Sequence, residues 1–189
     1  MRRARLPDAT DAAWQLREAG GYAVTLAFAC VAWTRSLMMN VVYRPAVPAD
    51  AAACIDLRGR TRENAFSAAQ LAALGITVDS WAAGIAQGGF PGHVAEADGG
   101  MVGYCFGDRD SGEIIVLALL PAWEGKGIGK ALLARTVDDF QGWGFKRLFL
   151  GCAADPGVRS HGFYRHLGWR PTGEIDDLGD EVLELHLRG

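Results

Sequence analysis

The chain has 189 residues, half of them hydrophobic, with 19 Lys and Arg against 22 Asp and Glu for a formal net charge of −3. That length suits one well-packed domain with a spare segment and is short for two ordinary domains, and the composition suggests neither a disordered chain nor a nucleic-acid surface. Residues 1–40 hold five arginines against three acids, so the remainder carries −5, which disfavours phosphate-backbone partners such as nucleic acid and favours cationic ones.

In chain order, Tyr22 to Trp33 comes first as an apolar run, well short of the roughly 20 residues that cross a bilayer. It follows a mixed-charge lead containing Asp8, Asp11 and Glu18, unlike a secretory signal. No membrane association is expected. The domain pattern starts at Val41, directly after Met38-Met39-Asn40, so residues 1–38 read as a dispensable N-terminal extension, disordered or upstream of the natural start.

Val41 to Arg44 reads as a strand, Pro48-Ala49-Asp50 as punctuation, and Ala51 to Arg58 as an amphipathic helix. A basic connection, Gly59 to Asn64, leads to a helix capped by Ser67 and running through Leu74 to a stop at Gly75. A third helix starts at Thr77 or Asp79 and ends at Ala86 before Gly88-Gly89 and Pro91. The period then changes to two. His93 to Ala97, Met101 to Gly107 and Glu113 to Leu120 form three consecutive antiparallel strands joined by turns at Asp98-Gly99-Gly100 and Asp108 to Gly112. A helix from Gly127 to Phe140, a strand from Arg147 to Cys152, a helix from Ser160 to Leu167 and strands at Trp169 to Glu174 and Glu181 to Leu187 complete the chain. Cys30, Cys54, Cys105 and Cys152 form no C-x-x-C pair and have no histidine at zinc spacing, so neither a metal site nor a disulfide scaffold is expected, and a reducing cytoplasm fits.

The most informative stretch is Pro121-Ala122-Trp123-Glu124-Gly125-Lys126-Gly127-Ile128-Gly129-Lys130-Ala131-Leu132-Leu133. Glycines let backbone N–H groups converge, and a helix start adds unpaired donors and partial positive charge, so this turn suits phosphate oxygens. A Walker A loop fails, because Glu124 takes its first glycine position and Ala131 its metal-binding hydroxyl. A dinucleotide fingerprint fails in both frames, ending on Lys130 or Leu132.

Glu124-Gly125-Lys126-Gly127-Ile128-Gly129 instead resembles the [QR]-x-x-G-x-[GA] loop of the GNAT acetyltransferase superfamily. Phe163-Tyr164-Arg165-His166-Leu167-Gly168-Trp169 resembles that family's later F-Y-x-x-x-G-[FW] element. The lesser alternative for the second stretch is that Phe163, Tyr164 and Leu167 are only the buried face of a short helix closed by Gly168. The resemblance covers about Val41 to Arg188. It implies an α/β (α+β) fold in a single domain, residues 41–188, in the order β-α-α-β-β-β-α-β-α-β-β. Its sheet would be mixed and largely antiparallel, flanked by helices, with the fourth and fifth strands splayed.

The activity implied is acetyl transfer from acetyl-CoA to a primary amine of a small molecule or peptide by direct attack, with no metal. Backbone groups of Leu117, Ala118 and Leu119 would pair with the pantetheine arm, and Gly125, Lys126, Gly127, Ile128, Gly129 and Lys130 would hold the diphosphate. The N–H of Leu119 would serve the oxyanion. Tyr164 would serve as the acid that protonates the departing thiolate. Glu113 is the first choice of general base because Glu113 to Leu119 resembles the histone-acetylating branch; it reads equally as a polar strand start, and Asp108, Glu96 and His93 are rivals.

Two departures stand out. Glu124 replaces a Gln or Arg, and Gly157 stands where an Asn commonly contacts the pantetheine, leaving Asp155 or Ser160 as substitutes. The family's acceptor lies between segments corresponding to Arg58–Asn64 and Glu174–Asp180. The first carries Arg58, Arg60 and Arg62, and the second Asp176, Asp177 and Asp180, which together suit a small zwitterion, although charge runs also serve simply as solvated surface. A homodimer is left open. The alternatives are a coenzyme-A-binding regulatory module with little catalysis, and a membrane-tethered interaction protein resting on Tyr22 to Trp33 alone.

Overall fold

A computed structural model describes residues 40–63 and 65–187. The reading of residues 1–38 as an extension, the apolar run at Tyr22 to Trp33, Cys30, Asn64 and the end of the domain at Arg188 lie outside the described residues. None of the described helices is long and apolar enough to cross a membrane.

Strand β1 (Val42–Pro45) leads through a 3-10 turn at Pro48–Asp50 into helix α1 (Ala51–Arg58). Arg44 holds that turn in place. Its two Nη atoms donate to Asp50 at 2.7 and 2.8 Å, and Asp50 also accepts from the Val47 N–H at 2.8 Å. Helix α2 (Ala68–Ala73) begins with a reciprocal cap, the Gln70 N–H donating to Ser67 and the Ser67 N–H to Gln70. Helix α3 (Val78–Ala86) begins with the same exchange between Thr77 and Ser80. Each cap satisfies donors that a helix start otherwise leaves open. Three helices therefore precede the second strand, as the residues themselves predict. The order implied by the resemblance has two.

Strands β2 (Gly92–Ala97), β3 (Gly100–Gly107) and β4 (Ile114–Leu119) complete an antiparallel sheet in the order β1-β2-β3-β4. Helix α4 (Ile128–Gly142) leads to β5 (Arg147–Cys152), helix α5 (Arg159–His166), β6 (Arg170–Ile175) and β7 (Glu181–His186), and the last three strands form a second sheet ordered β5-β7-β6. Between the two sheets, among the described residues, only Glu113 and Phe149 form a bridge, a parallel one. The chain thus has the splayed junction between β4 and β5 that the sequence resemblance implies.

A bulge in β4 prepares that junction. The β3–β4 register pairs Phe106 with Val116 but Gly107 with Ile114, leaving Ile115 as an extra residue. Side chains of a regular strand alternate between faces. Here Ile115 and Val116 both pack with α1 and α3, while Ile114 and Leu117 both pack on the α4 side. The α4 face buries Ala95, Cys105 and Ile114 against Leu132, Leu133 and Phe140; the opposite face buries Val94, Tyr104, Phe106 and Ala118 against Cys54, Leu57 and Trp81.

Candidate acetyl-CoA and acceptor site

The gap begins where β4 and β5 part. The Leu120 N–H donates to the Val102 carbonyl at 2.9 Å, and Gly103 pairs with Leu119. In an antiparallel ladder, main-chain groups alternate between the partner strand and the other edge. Ala118 therefore turns its N–H and C=O to β3, whereas Leu117 and Leu119 present theirs to the gap. Of the three residues named for the pantetheine arm, the two leucines have the open edge and Ala118 supplies packing, being 3 % exposed. The Leu119 N–H expected to serve an oxyanion is on the open side.

The glycine-rich turn lies at the end of this edge. Gly125 and Gly127 have φ of +71° and +78°, the left-handed region that only glycine adopts freely, and nothing lies within 4 Å of where a Cβ would stand on either. Gly127 is the N-cap of α4 and offers no side chain, so the N–H groups of Ile128, Gly129 and Lys130 have no side-chain cap, and the first helical bond runs from the Ala131 N–H to the Gly127 carbonyl at 3.0 Å. Gly129 differs. Its Cβ position is 3.7 Å from Leu117, Leu119 and Phe163, ordinary contact distance, so the helix start packs on β4 and α5 and has room there for a small side chain.

Glu124, the acidic departure in the loop, does not stand alone. Its carboxylate accepts from Arg62 Nε at 3.0 Å and from Arg159 Nη1, and its side chain is 19 % exposed. Two arginines from segments distant in sequence hold this one carboxylate, so its charge is balanced rather than left facing the glycines. Lys126 lies over the Trp123 ring, 4.8 Å from its centre. At the other departure, Asp155 Oδ1 accepts from the Gly157 N–H at 2.8 Å, so Asp155 is engaged in its own turn. Ser160 lies beside the Cys152 thiol.

Tyr164 is buried in α5, with Phe163 and Trp169 edge-on at 5.1 and 6.0 Å between ring centres. Burial pushes its phenol well above the ordinary value, and the thiols of Cys105 and Cys152 add to the shift. Such a phenol stays protonated at any working pH. It is a weaker acid than the sequence reading assumed, better suited to donating a hydrogen bond than to releasing its proton.

Glu113 is half-buried at the bridge to Phe149. Burial raises its carboxyl pKa, with Asp108 and Asp176 adding to it. Two of its rivals are committed elsewhere. Glu96 accepts from Arg44, and Asp108 accepts from the N–H groups of Asp110 and Ser111 at 2.8 and 3.2 Å. His93 is buried against α4, its Nδ1 3.7 Å from Asp139 and without a hydrogen-bond partner among the described residues.

Burial lowers the His93 pKa below 6.5, the Asp139 charge opposing that only in part. The unfolded chain then binds the proton first as pH falls. The contribution of His93 is complete above about 6.5 and lost as pH drops toward its folded pKa. Urea midpoints at pH 7.5 and 5.0 should therefore separate more in the wild type than in His93→Leu; equal separations would rule out the effect.

Two antiparallel sheets parted beside an open main-chain edge, with an uncapped glycine-rich helix start at its end, define an acetyltransferase scaffold. The chain belongs to the acetyltransferase (GNAT) family, whose model matches residues 55–169. Among solved structures it resembles the PaiA N-acetyltransferase of Thermoplasma acidophilum in complex with coenzyme A, at 18 % identity and TM-score 0.67 over 79 % of this chain and 100 % of that one. It also resembles YncA of Salmonella typhimurium with acetyl-CoA, at 21 % identity and TM-score 0.61 over 79 % and 95 %. A third is the ribosomal-protein-S18-alanine N-acetyltransferase of Escherichia coli, at 17 % and 0.59 over 79 % and 97 %. Identities this low establish the fold alone. No curated protein matches the sequence.

Sequence reasoning missed the pairing of Arg62 and Arg159 with Glu124, which no local pattern signals. It also treated Arg58 as equal to Arg60 and Arg62. Helical spacing could have separated them, because Arg58 lies one turn from buried Cys54.

Proposed function

We propose that the protein is an acetyl-CoA-dependent N-acetyltransferase acting on a primary amine by direct attack. The observation that carries this reading is the unpaired edge of Leu117 and Leu119 leading to the uncapped helix start at Gly127. The edge suits the amides of a pantetheine arm and the helix start suits a diphosphate. Glu124 no longer argues against an anion there, since Arg62 and Arg159 already hold its charge. The rival reading, a coenzyme-A-binding regulatory module, keeps only Gly157 in its favour.

Acetyl-CoA when bound supplies an activated acyl carbon on a good leaving group. As the amine nitrogen bonds to that carbon and the C–S bond breaks, Glu113 takes the proton that the nitrogen sheds. Leu119 is six strand residues from Glu113, too far to share one acetyl carbon with it, so the open N–H of Leu117 donates to the carbonyl oxygen, Glu113 is reached through water, and Tyr164 donates a hydrogen bond to the departing sulfur. The raised pKa of Glu113 makes it a stronger base than an exposed carboxylate, provided the pH is high enough to ionise it.

Thiol release from acetyl-CoA across amines, amino acids, polyamines, aminoglycosides and peptides tests the reaction, with calorimetry of coenzyme A binding alongside. Saturable binding with acceptor-dependent release is expected; no binding at millimolar coenzyme A would end this reading, and binding without turnover would favour the regulatory one. Gly127→Val should weaken coenzyme A binding by at least about tenfold, because it forces a β-branched residue to positive φ and fills the space before the helix start. Unchanged affinity by the same calorimetry would move the diphosphate away from this loop.

A further inference from the structure

We propose that Arg58 anchors a carboxylate of the acceptor, so that the amine to be acetylated belongs to an amino acid or a compound with similarly spaced amine and acid groups. This deepens the transferase reading and rests on it. The three arginines of the first acceptor segment are not equivalent. Arg60 pairs with Asp56 at 2.9 Å one helical turn away, and Arg62 pairs with Glu124 at 3.0 Å. No described carboxylate lies within ion-pair distance of Arg58. Its guanidinium lies over the Phe66 ring, 5.0 Å from the centre, and the side chain is half-buried at the end of α1.

The location of Arg58 connects it to the reaction. Its charge acts on both Tyr104 of β3 and Tyr164 of α5, lowering the pKa of each phenol against the larger effect of burial. Burial in turn lowers the pKa of Arg58 itself, as expected for a cation partly stripped of water without a counter-ion. Charges removed from water are normally paired, and a guanidinium fork matches a carboxylate with two parallel hydrogen bonds. The Phe66 ring beside it holds the guanidinium at the end of α1. Opposite charge gathers around β5. Asp176 Oδ2 and Asp180 Cβ lie 2.8 and 3.4 Å from the Cβ position of Gly151, and Asp176 also acts on Glu113. An acceptor with its acid at Arg58 and its ammonium toward these carboxylates would match both charges.

The test compares amino acids with their decarboxylated amines: leucine with isopentylamine, phenylalanine with phenethylamine, and lysine with cadaverine. Thiol release is measured for wild type, Arg58→Ala and Arg58→Lys, with calorimetry of coenzyme A binding and thermal melting on each. In the wild type at least one amino acid should exceed its amine by about tenfold in kcat/KM. Arg58→Ala should lower that amino acid's kcat/KM at least about tenfold more than the amine's, through KM, and Arg58→Lys should retain part of the preference.

Equal losses for both members of a pair would reduce Arg58 to a packing residue, and a preference for the amine would overturn the anchor while leaving the transferase intact. A coenzyme A Kd raised tenfold or more in Arg58→Ala would assign the cation to the cosubstrate's phosphates instead, also against the proposal. If no compound is acetylated, NMR titration of the same pairs into protein loaded with coenzyme A decides the anchor separately. Carboxylate-dependent binding that disappears in Arg58→Ala upholds the anchor, the transferase reading being decided by the wider acceptor panel; binding without carboxylate preference, or none, removes the anchor.

Discussion

Glu113→Gln is expected to lower kcat/KM by about two to four orders of magnitude, the usual contribution of a positioned general base. The change is nearly isosteric and keeps the strand start, whose main chain makes the bridge to Phe149 and accepts from the Asp108 N–H at 2.8 Å. Removing a half-buried carboxylate from beside Asp108 and Asp176 should not destabilise the fold, so melting temperature should stay level or rise. The pH profile supplies a second readout. Activity in the wild type should fall as pH drops through the Glu113 pKa, which burial and its acidic neighbours place above the ordinary value of about 4.3. That limb should vanish in the Gln variant, leaving only the titration of the acceptor amine. A variant within twofold of wild type would show that Glu113 is a strand-start residue and that the proton goes elsewhere.

Tyr164→Phe should reduce kcat by roughly tenfold to a thousandfold while leaving the Kd for coenzyme A nearly unchanged. The ring packs edge-on to Phe163 and Trp169, and Phe preserves that contact, so a folding defect is not expected. The size of the loss tests what the phenol does. Because burial raises the Tyr164 pKa, outright transfer of its proton to a thiolate of ordinary pKa about 8.5 is uphill, whereas a hydrogen bond to developing negative charge is not. Over the pH range in which the protein is stable, the wild type should therefore show no limb attributable to Tyr164. Unchanged kcat in the Phe variant would remove this residue from the mechanism.

Both predictions place the chemistry at the parting of the two sheets, which local sequence foreshadows only in part. The Ser67 and Thr77 caps, the Asp98-Gly99-Gly100 turn and the helix limits of Ala51–Arg58 are readable from residues because each depends on neighbours within a few positions. The glycine-rich turn is readable for the same reason: positive φ at Gly125 and Gly127 and the following amphipathic helix are local properties. The environment of Tyr164 is not, since it packs in one cluster with Cys105 and Cys152, which come from two different sheets. The Ile115 bulge likewise emerges only from the register with β3.

By itself, the sequence determined the element order, the glycine-rich anion turn and the membership that its two motifs suggest, because periodicity, capping and turn chemistry act over a few residues. The tertiary structure alone decided which edge of β4 stays open, that Arg62 and Arg159 hold Glu124, and that Arg58 lacks a described carboxylate partner. Those outcomes depend on charges and strands brought together across 35 to 62 positions of chain in the Glu124 pairs, where spatial proximity and exclusion of water, rather than sequence neighbours, set the energy.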